Sequence, residues 1–245
     1  MKYGIQLYSV RDNTPKDMEG TLRAIAEMGY SYVEFAGFFG HSADTIKGWL
    51  DQYGLTASGT HTGWEALRDD FDGTVAYHKA IGCDTIIVPG ADLSTPEKLD
   101  AFIAFMTDAA ARLAKEGLRL GYHNHSHEFL PSSYGVITHE ELQNRTVGVE
   151  FEIDTYWAYH AGKDPVAIME KLYAENRLPV IHIKDGTADG KGYALGEGTA
   201  PVAAVHAKAI ELGMQMVVES EGLKPTGPDE VGRCMQYLRR LDLNR

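Results

Sequence analysis

Arg119-Leu-Gly-Tyr-His-Asn-His-Ser-His-Glu-Phe129 is a short apolar run that ends in four groups able to bind a metal ion or move a proton: His123, His125, His127 and Glu128. The same form recurs along the chain. Apolar, β-branched runs of strand length begin near Gly4, Tyr32, Thr56, Thr85, Arg119, Val147, Val180 and Gln215. Most end on polar groups, among them Glu34, His61, Asp154, His182 with Lys184, and Glu219. The fourth ends in Pro89-Gly90, which shapes a pocket without adding a reactive side chain.

Helical stretches lie between these runs, so a strand–helix unit repeats roughly every 25–35 residues. The spacing predicts helices from Pro15 to Met28, from an N-cap at Ser42 to Gly54, from Leu67 to Ile81, and from Ser94-Thr-Pro-Glu to Gly117. Shorter ones are expected at Thr138–Asn144, Pro165–Tyr173, Val202–Leu212 and Pro228–Leu241. Eight such units without a linker point to a single-domain (β/α)8 barrel spanning residues 1–245. A doubly wound open sheet would usually carry a glycine-rich turn after its first strand, and Tyr8-Ser-Val-Arg-Asp-Asn offers none. In a barrel, chemistry sits at the C-terminal ends of the strands, where this chain places its polar residues.

Composition narrows the partners. A formal charge of −12 argues against a nucleic-acid backbone or an anionic membrane. Two cysteines, Cys83 and Cys234, are too few and too far apart for a disulfide framework or thiolate metal site. The start MKYGIQLYSV lacks a signal-peptide core, and no apolar run approaches a membrane span, so a cytoplasmic location is expected. A homo-oligomer is compatible with the composition.

In Val149-Glu-Phe-Glu-Ile-Asp154, alternation puts Glu150, Glu152 and Asp154 on one face, which in a barrel strand points inward. Buried carboxylates need a cation, and Asp154 at the open end is the first candidate ligand. Glu152, one layer deeper, is expected to pair with Lys184 or Arg119. His182 and Lys184 share a face of the next strand, and Glu219 ends the last. Asp154, His182 and Glu219 form an oxygen- and nitrogen-donor set suited to Mn²⁺ first, with Mg²⁺, Co²⁺ or Zn²⁺ as alternatives. Glu128 is the expected fourth ligand, with His123 and His125 as alternatives or as proton-transfer groups. Gly190-Lys-Gly-Tyr-Ala-Leu-Gly-Glu-Gly198 reads as a mobile loop with Glu197 reaching inward. Glu34, His61, Lys184, Trp157 and Glu197 are the expected substrate contacts.

At these residues the chain resembles the sugar phosphate isomerase/epimerase family of xylose-isomerase-like TIM barrels. The resemblance is carried by Gly4-Ile-Gln-Leu-Tyr-Ser-Val-Arg-Asp12, Gly29-Tyr-Ser-Tyr-Val-Glu34, Tyr122-His-Asn-His125 with Glu128-Phe129, Glu152-Ile-Asp-Thr-Tyr-Trp157, His182-Ile-Lys-Asp185, Gly196-Glu-Gly198 and Val218-Glu219. It implies a divalent metal held by a Glu, Asp, His, Glu set from the last four strands. In the family's epimerases two of those glutamates also move protons on opposite faces of a sugar carbon. Asp154, His182 and Glu219 match, whereas the position of the family's first glutamate holds His123.

The activity expected is a metal-dependent sugar isomerase or epimerase that abstracts a proton next to a carbonyl. Glu219, His123, His125 and Glu128 are the proton-transfer candidates, and a small carbohydrate is the substrate. The His-Asn-His version also resembles relatives acting on oxidised sugars and cyclitols, so a lyase or dehydratase on keto-sugars, keto-glycosides or inososes is the runner-up. A phosphodiesterase acting on damaged DNA shares the barrel, but the acidic charge counts against it. A catalytically silent sugar-binding barrel is the remaining reading.

Overall fold

The computed structural model describes residues 1–243. Eight parallel strands close into a barrel: β1 (Gly4–Gln6), β2 (Tyr32–Phe35), β3 (Thr56–His61), β4 (Thr85–Val88), β5 (Arg119–His123), β6 (Val149–Asp154), β7 (Val180–Ile183) and β10 (Gln215–Val218). Two-residue strands β8 (Asp185–Gly186) and β9 (Gly192–Tyr193) form a separate antiparallel ribbon after β7. Strand β10 pairs with both β7 and β1, which closes the ring.

The helices follow the strands, and their ends are set by local chemistry. Helix α1 (Met18–Met28) begins three residues later than the expected Pro15, capped by Asp17, whose carboxylate accepts the Gly20 N–H. Helix α2 (Ala43–Tyr53) is capped by Ser42 as expected. The expected third helix is two, α3 (Trp64–Asp69) and α4 (Phe71–Ile81), because the Asp70 backbone leaves the helical region and its side chain caps the second. Helix α5 (Pro96–Lys115) opens at Thr95 with proline in its first turn.

Downstream, α6 (Thr138–Arg145), α8 (Pro165–Ala174), α9 (Val202–Glu211) and α10 (Gly227–Leu243) lie within two residues of expectation. One element, α7 (Thr155–His160), has no counterpart in the sequence reading. It starts with no intervening loop, because Asp154, the last residue of β6, is also its N-cap.

Outward-facing strand residues such as Ile5, Val33, Phe151 and Ile181 pack with the helices in the main core. Inside, the barrel is layered. Tyr32, Ile87, Val180 and Val217 form a small apolar plug. Gly4 makes room for it: a Cβ there would lie 2.1 Å from the Tyr32 ring. One step towards the C-terminal rim, the inward residues are Gln6, Glu34, His61, His123, Glu152 and His182, nearly all buried. A register shift between Val33 and Glu34 sets Glu34 beside Gly59, where no side chain competes for the interior. The plug therefore forms a dry floor, and the polar layer stands on it.

Candidate metal centre and active site

The end of β5 follows strand alternation. Leu120 and Tyr122 pack outward in the main core, so His123 points in, and Gly121 before it lies against Ile87 of the plug. Asn124 then fastens β5 to β6: its side chain accepts the Asp154 N–H (3.1 Å) and donates to the Asp154 carbonyl (3.4 Å). Asp154 is divided between two tasks. Its Oδ1 accepts the Trp157 N–H at 2.8 Å, while its buried Oδ2 faces the Lys184 ammonium at 3.3 Å. From the neighbouring strands come His182 and Glu219. His123, Asp154, His182 and Glu219 each offer a ligand atom within 4.8 Å of the others, and all four side chains are buried.

This donor set fits a divalent cation. It gathers two imidazoles and two carboxylates, all buried, the nitrogen and oxygen donors that such an ion takes. The layer beneath holds the ligands in place. His182 Nε2 lies 2.9 Å from Glu34 Oε1 and 3.2 Å from Glu152 Oε1, so its Nδ1 is left facing Glu219 Oε2 at 3.3 Å. Glu152 also meets His61 Nε2 at 2.8 Å and His123 Nδ1 at 3.1 Å. Gln6 donates to Glu34. Carboxylates behind metal-binding histidines fix the ring orientation and raise basicity.

Protonation follows from these contacts. Burial alone would lower the His61 pKa, but Glu34 and Glu152 carry it to about 9. His182 likewise rises despite burial, through Glu152, Glu34 and Glu219. His123 is pushed down to about 3 by burial and the neighbouring His61 and His182, against the pull of Glu152. Burial raises Asp154 to about 7, with Lys184 opposing it. Glu219 falls well below the ordinary range because Lys184 and His182 outweigh its burial.

Several residues stand elsewhere than expected. Glu128, the anticipated fourth ligand, is buried in the loop after β5, where its carboxylate accepts from the Tyr122 hydroxyl (3.0 Å) and the His125 N–H (2.8 Å). It lies outside the four-residue set, and His123 takes its place. Glu152 pairs with three histidines rather than with Lys184 or Arg119; Arg119 approaches Glu150 instead (3.5 Å). Lys184, expected at the substrate, is buried with its Nζ 3.3 Å from Asp154, 3.0 Å from Glu219 and 3.1 Å from Glu221. Glu34 is fully buried in the supporting layer. Trp157 packs over Lys184 at 4.7 Å and towards His125. Glu197 does not reach inward; it pairs with Arg233 of α10 at 2.7 Å.

Sequence reasoning also missed Asp185, whose carboxylate accepts the backbone N–H groups of Gly186, Gly196, Gly198 and Ala200 and so ties down the glycine-rich segment.

Above the donor set lies a pocket of about 330 Å³ lined by Tyr8, Ala36, His61, Pro89, His123, His125, Glu219 and Glu221. His61, His123, His125 and Glu219 are the expected site residues that face it; Glu34, Asp154, His182, Lys184, Trp157 and Glu197 do not line it. Burial lowers the His125 pKa, so a neutral imidazole stands at the pocket wall.

Fold and site together define a (β/α)8 barrel with a mixed His/Asp/Glu donor set under a pocket at its C-terminal mouth. The chain belongs to the xylose isomerase-like TIM barrel family, whose model matches residues 22–241. A sugar phosphate isomerase/epimerase from Parabacteroides distasonis has a similar structure, with 27% identity, 97% of this chain and 93% of that chain covered, and a TM-score of 0.81. The probable 3-DHS dehydratase from Bacillus anthracis shares the fold at 12% identity, with 98% and 99% covered and a TM-score of 0.77. IOLI protein, solved with a zinc atom, does so at 14% identity, with 98% of each chain covered and a TM-score of 0.75. No curated protein matches the chain. No helix among the described residues is long and apolar enough to cross a membrane.

Proposed function

We propose that this protein is a divalent-metal-dependent isomerase or epimerase of a small keto-sugar, acting by proton abstraction next to the carbonyl. The observation that carries this reading is the meeting of His123, Asp154, His182 and Glu219 beneath the pocket. These four residues would hold the cation, Mn²⁺ by preference, which when bound supplies Lewis-acid polarisation of a carbonyl oxygen.

The chain's own groups do the rest. Glu219, kept ionised by Lys184 and His182, is a proton acceptor lining the pocket. Glu219 takes the proton from the carbon beside the carbonyl, leaving an enediolate, and, once protonated, returns it to the same or the adjacent carbon. His61, held cationic between Glu34 and Glu152, adds positive charge at the pocket wall where the enediolate oxygens gather. The plug below keeps the reacting end dry.

A second reading, elimination of water or an alcohol from an oxidised sugar, is favoured by His123. With an imidazole where a second glutamate would stand, Glu219 is the carboxylate base that faces the pocket, and once protonated it would give that proton to a leaving oxygen. Incubating the Mn²⁺-loaded protein with keto-sugars and keto-glycosides in D₂O tests both. Deuterium at the carbon next to the carbonyl with unchanged substrate mass otherwise supports isomerisation, and loss of water or alcohol supports elimination. No incorporation and no loss across the panel would contradict both.

A further inference from the structure

A second group of ligand-type side chains stands beside the pocket. His125, His127 and Glu128 each present one ligand atom within 4.8 Å of the other two. The two imidazoles stack with their centroids 5.8 Å apart and their planes 18° from parallel. His127 Nε2 lies 3.3 Å from Glu128 Oε1, a spacing that two ligands of one tetrahedral ion adopt. We propose that these three residues form a second cation site, for Zn²⁺ or a similar borderline transition metal, separate from the four-residue centre.

The local structure supports this. Residues His127–Phe129 make a single 3-10 turn, and the His127 ring lies 5.8 Å from that of His125. The Glu128 carboxylate is pre-oriented before any ion arrives, because the Tyr122 hydroxyl and the His125 N–H each hold one of its oxygens. That is the outer support metal-binding carboxylates usually have. His127 is largely exposed, with 71% of its side chain accessible, which gives an ion an entry path. Two imidazoles and one carboxylate, without thiolates, select Zn²⁺, Co²⁺ or Ni²⁺ over Mg²⁺ or Ca²⁺ and leave a coordination position open.

The site's position gives it a consequence. His125 lines the 330 Å³ pocket, while His127 lines a neighbouring cavity of about 500 Å³ bordered by Leu93, Leu130 and Pro131. An ion on this ridge faces both spaces, so a ligand in either could complete its coordination with an oxygen or nitrogen donor.

The test is Zn²⁺ binding by equilibrium dialysis with elemental analysis, followed by Co²⁺ substitution and visible absorption. The proteins compared are wild type, His127→Ala and Asp154→Asn/Glu219→Gln. Because His127 is exposed and outside the four-residue centre, its replacement leaves the fold and that centre untouched. The proposal expects two Zn²⁺ per wild-type chain. His127→Ala should keep one and bind the other at least about tenfold more weakly. The double variant should keep the His127-dependent ion, together with its Co²⁺ absorption bands. One ion in wild type, or undiminished second-ion binding in His127→Ala, would overturn it.

Discussion

His182 on β7 and Glu34 on β2 stand on well-separated strands of the ring, and their Nε2 and Oε1 atoms meet at 2.9 Å within it. That contact decides which nitrogen of His182 is left for a cation. Glu34→Gln removes the charge behind the ring while keeping its size. Mn²⁺ affinity measured by titration calorimetry should fall by about tenfold or more. An unchanged affinity would mean that Glu34 does not act through His182.

Lys184 is a fixed positive charge among Asp154, Glu219 and Glu221. Lys184→Met leaves the buried Asp154 and Glu219 carboxylates without it, which should destabilise the metal-free protein by about 3–5 kcal/mol. Saturating Mn²⁺ should recover much of that loss. Urea unfolding with and without metal reads both effects; equal destabilisation in the two conditions would contradict the charge argument.

His139 of α6 is buried between the Phe129 and Phe151 rings, with its Nε2 unbonded among the described residues. Burial, helped by Lys171 and Arg177, lowers its pKa to about 3. An unfolded histidine titrates near 6.5, so below that pH the unfolded chain binds the extra proton. The stability from this group is full above about pH 6.5 and declines as pH falls towards 3, by at most about 1.4 kcal/mol per pH unit. His139→Leu should flatten the acid limb of the stability curve relative to wild type. Parallel curves for the two proteins would refute the assignment.

Gly4 has no room for a methyl group, since its Cβ would sit 2.1 Å from two Tyr32 ring carbons. Gly4→Ala should cost about 1–3 kcal/mol in urea unfolding by forcing the plug apart.

The barrel was legible because its strands announce themselves: apolar runs of strand length alternate with helical stretches, and most of the runs end in a polar group. The same alternation carried the signal for His123, which shares the inward face with Gly121, but the harder carboxylate of Glu128 was preferred on ligand chemistry. Helix α7 escaped because Asp154 ends a strand and caps a helix at once, so no loop separates the two. The meeting of Glu34 with His182, 148 positions apart, has no local signature. Glu197 was misplaced for a related reason: its partner Arg233 lies 36 residues further on, on the outer helix α10.

The central claim is that His123, Asp154, His182 and Glu219 share one cation. Crystals grown with Mn²⁺ and measured for anomalous scattering test it directly. The account predicts a strong peak bonded to all four side chains, at roughly 2.0–2.3 Å from His182 Nδ1 and the carboxylate oxygens. A map with no peak there, and Lys184 still seated against Asp154 and Glu219 at saturating Mn²⁺, would contradict it.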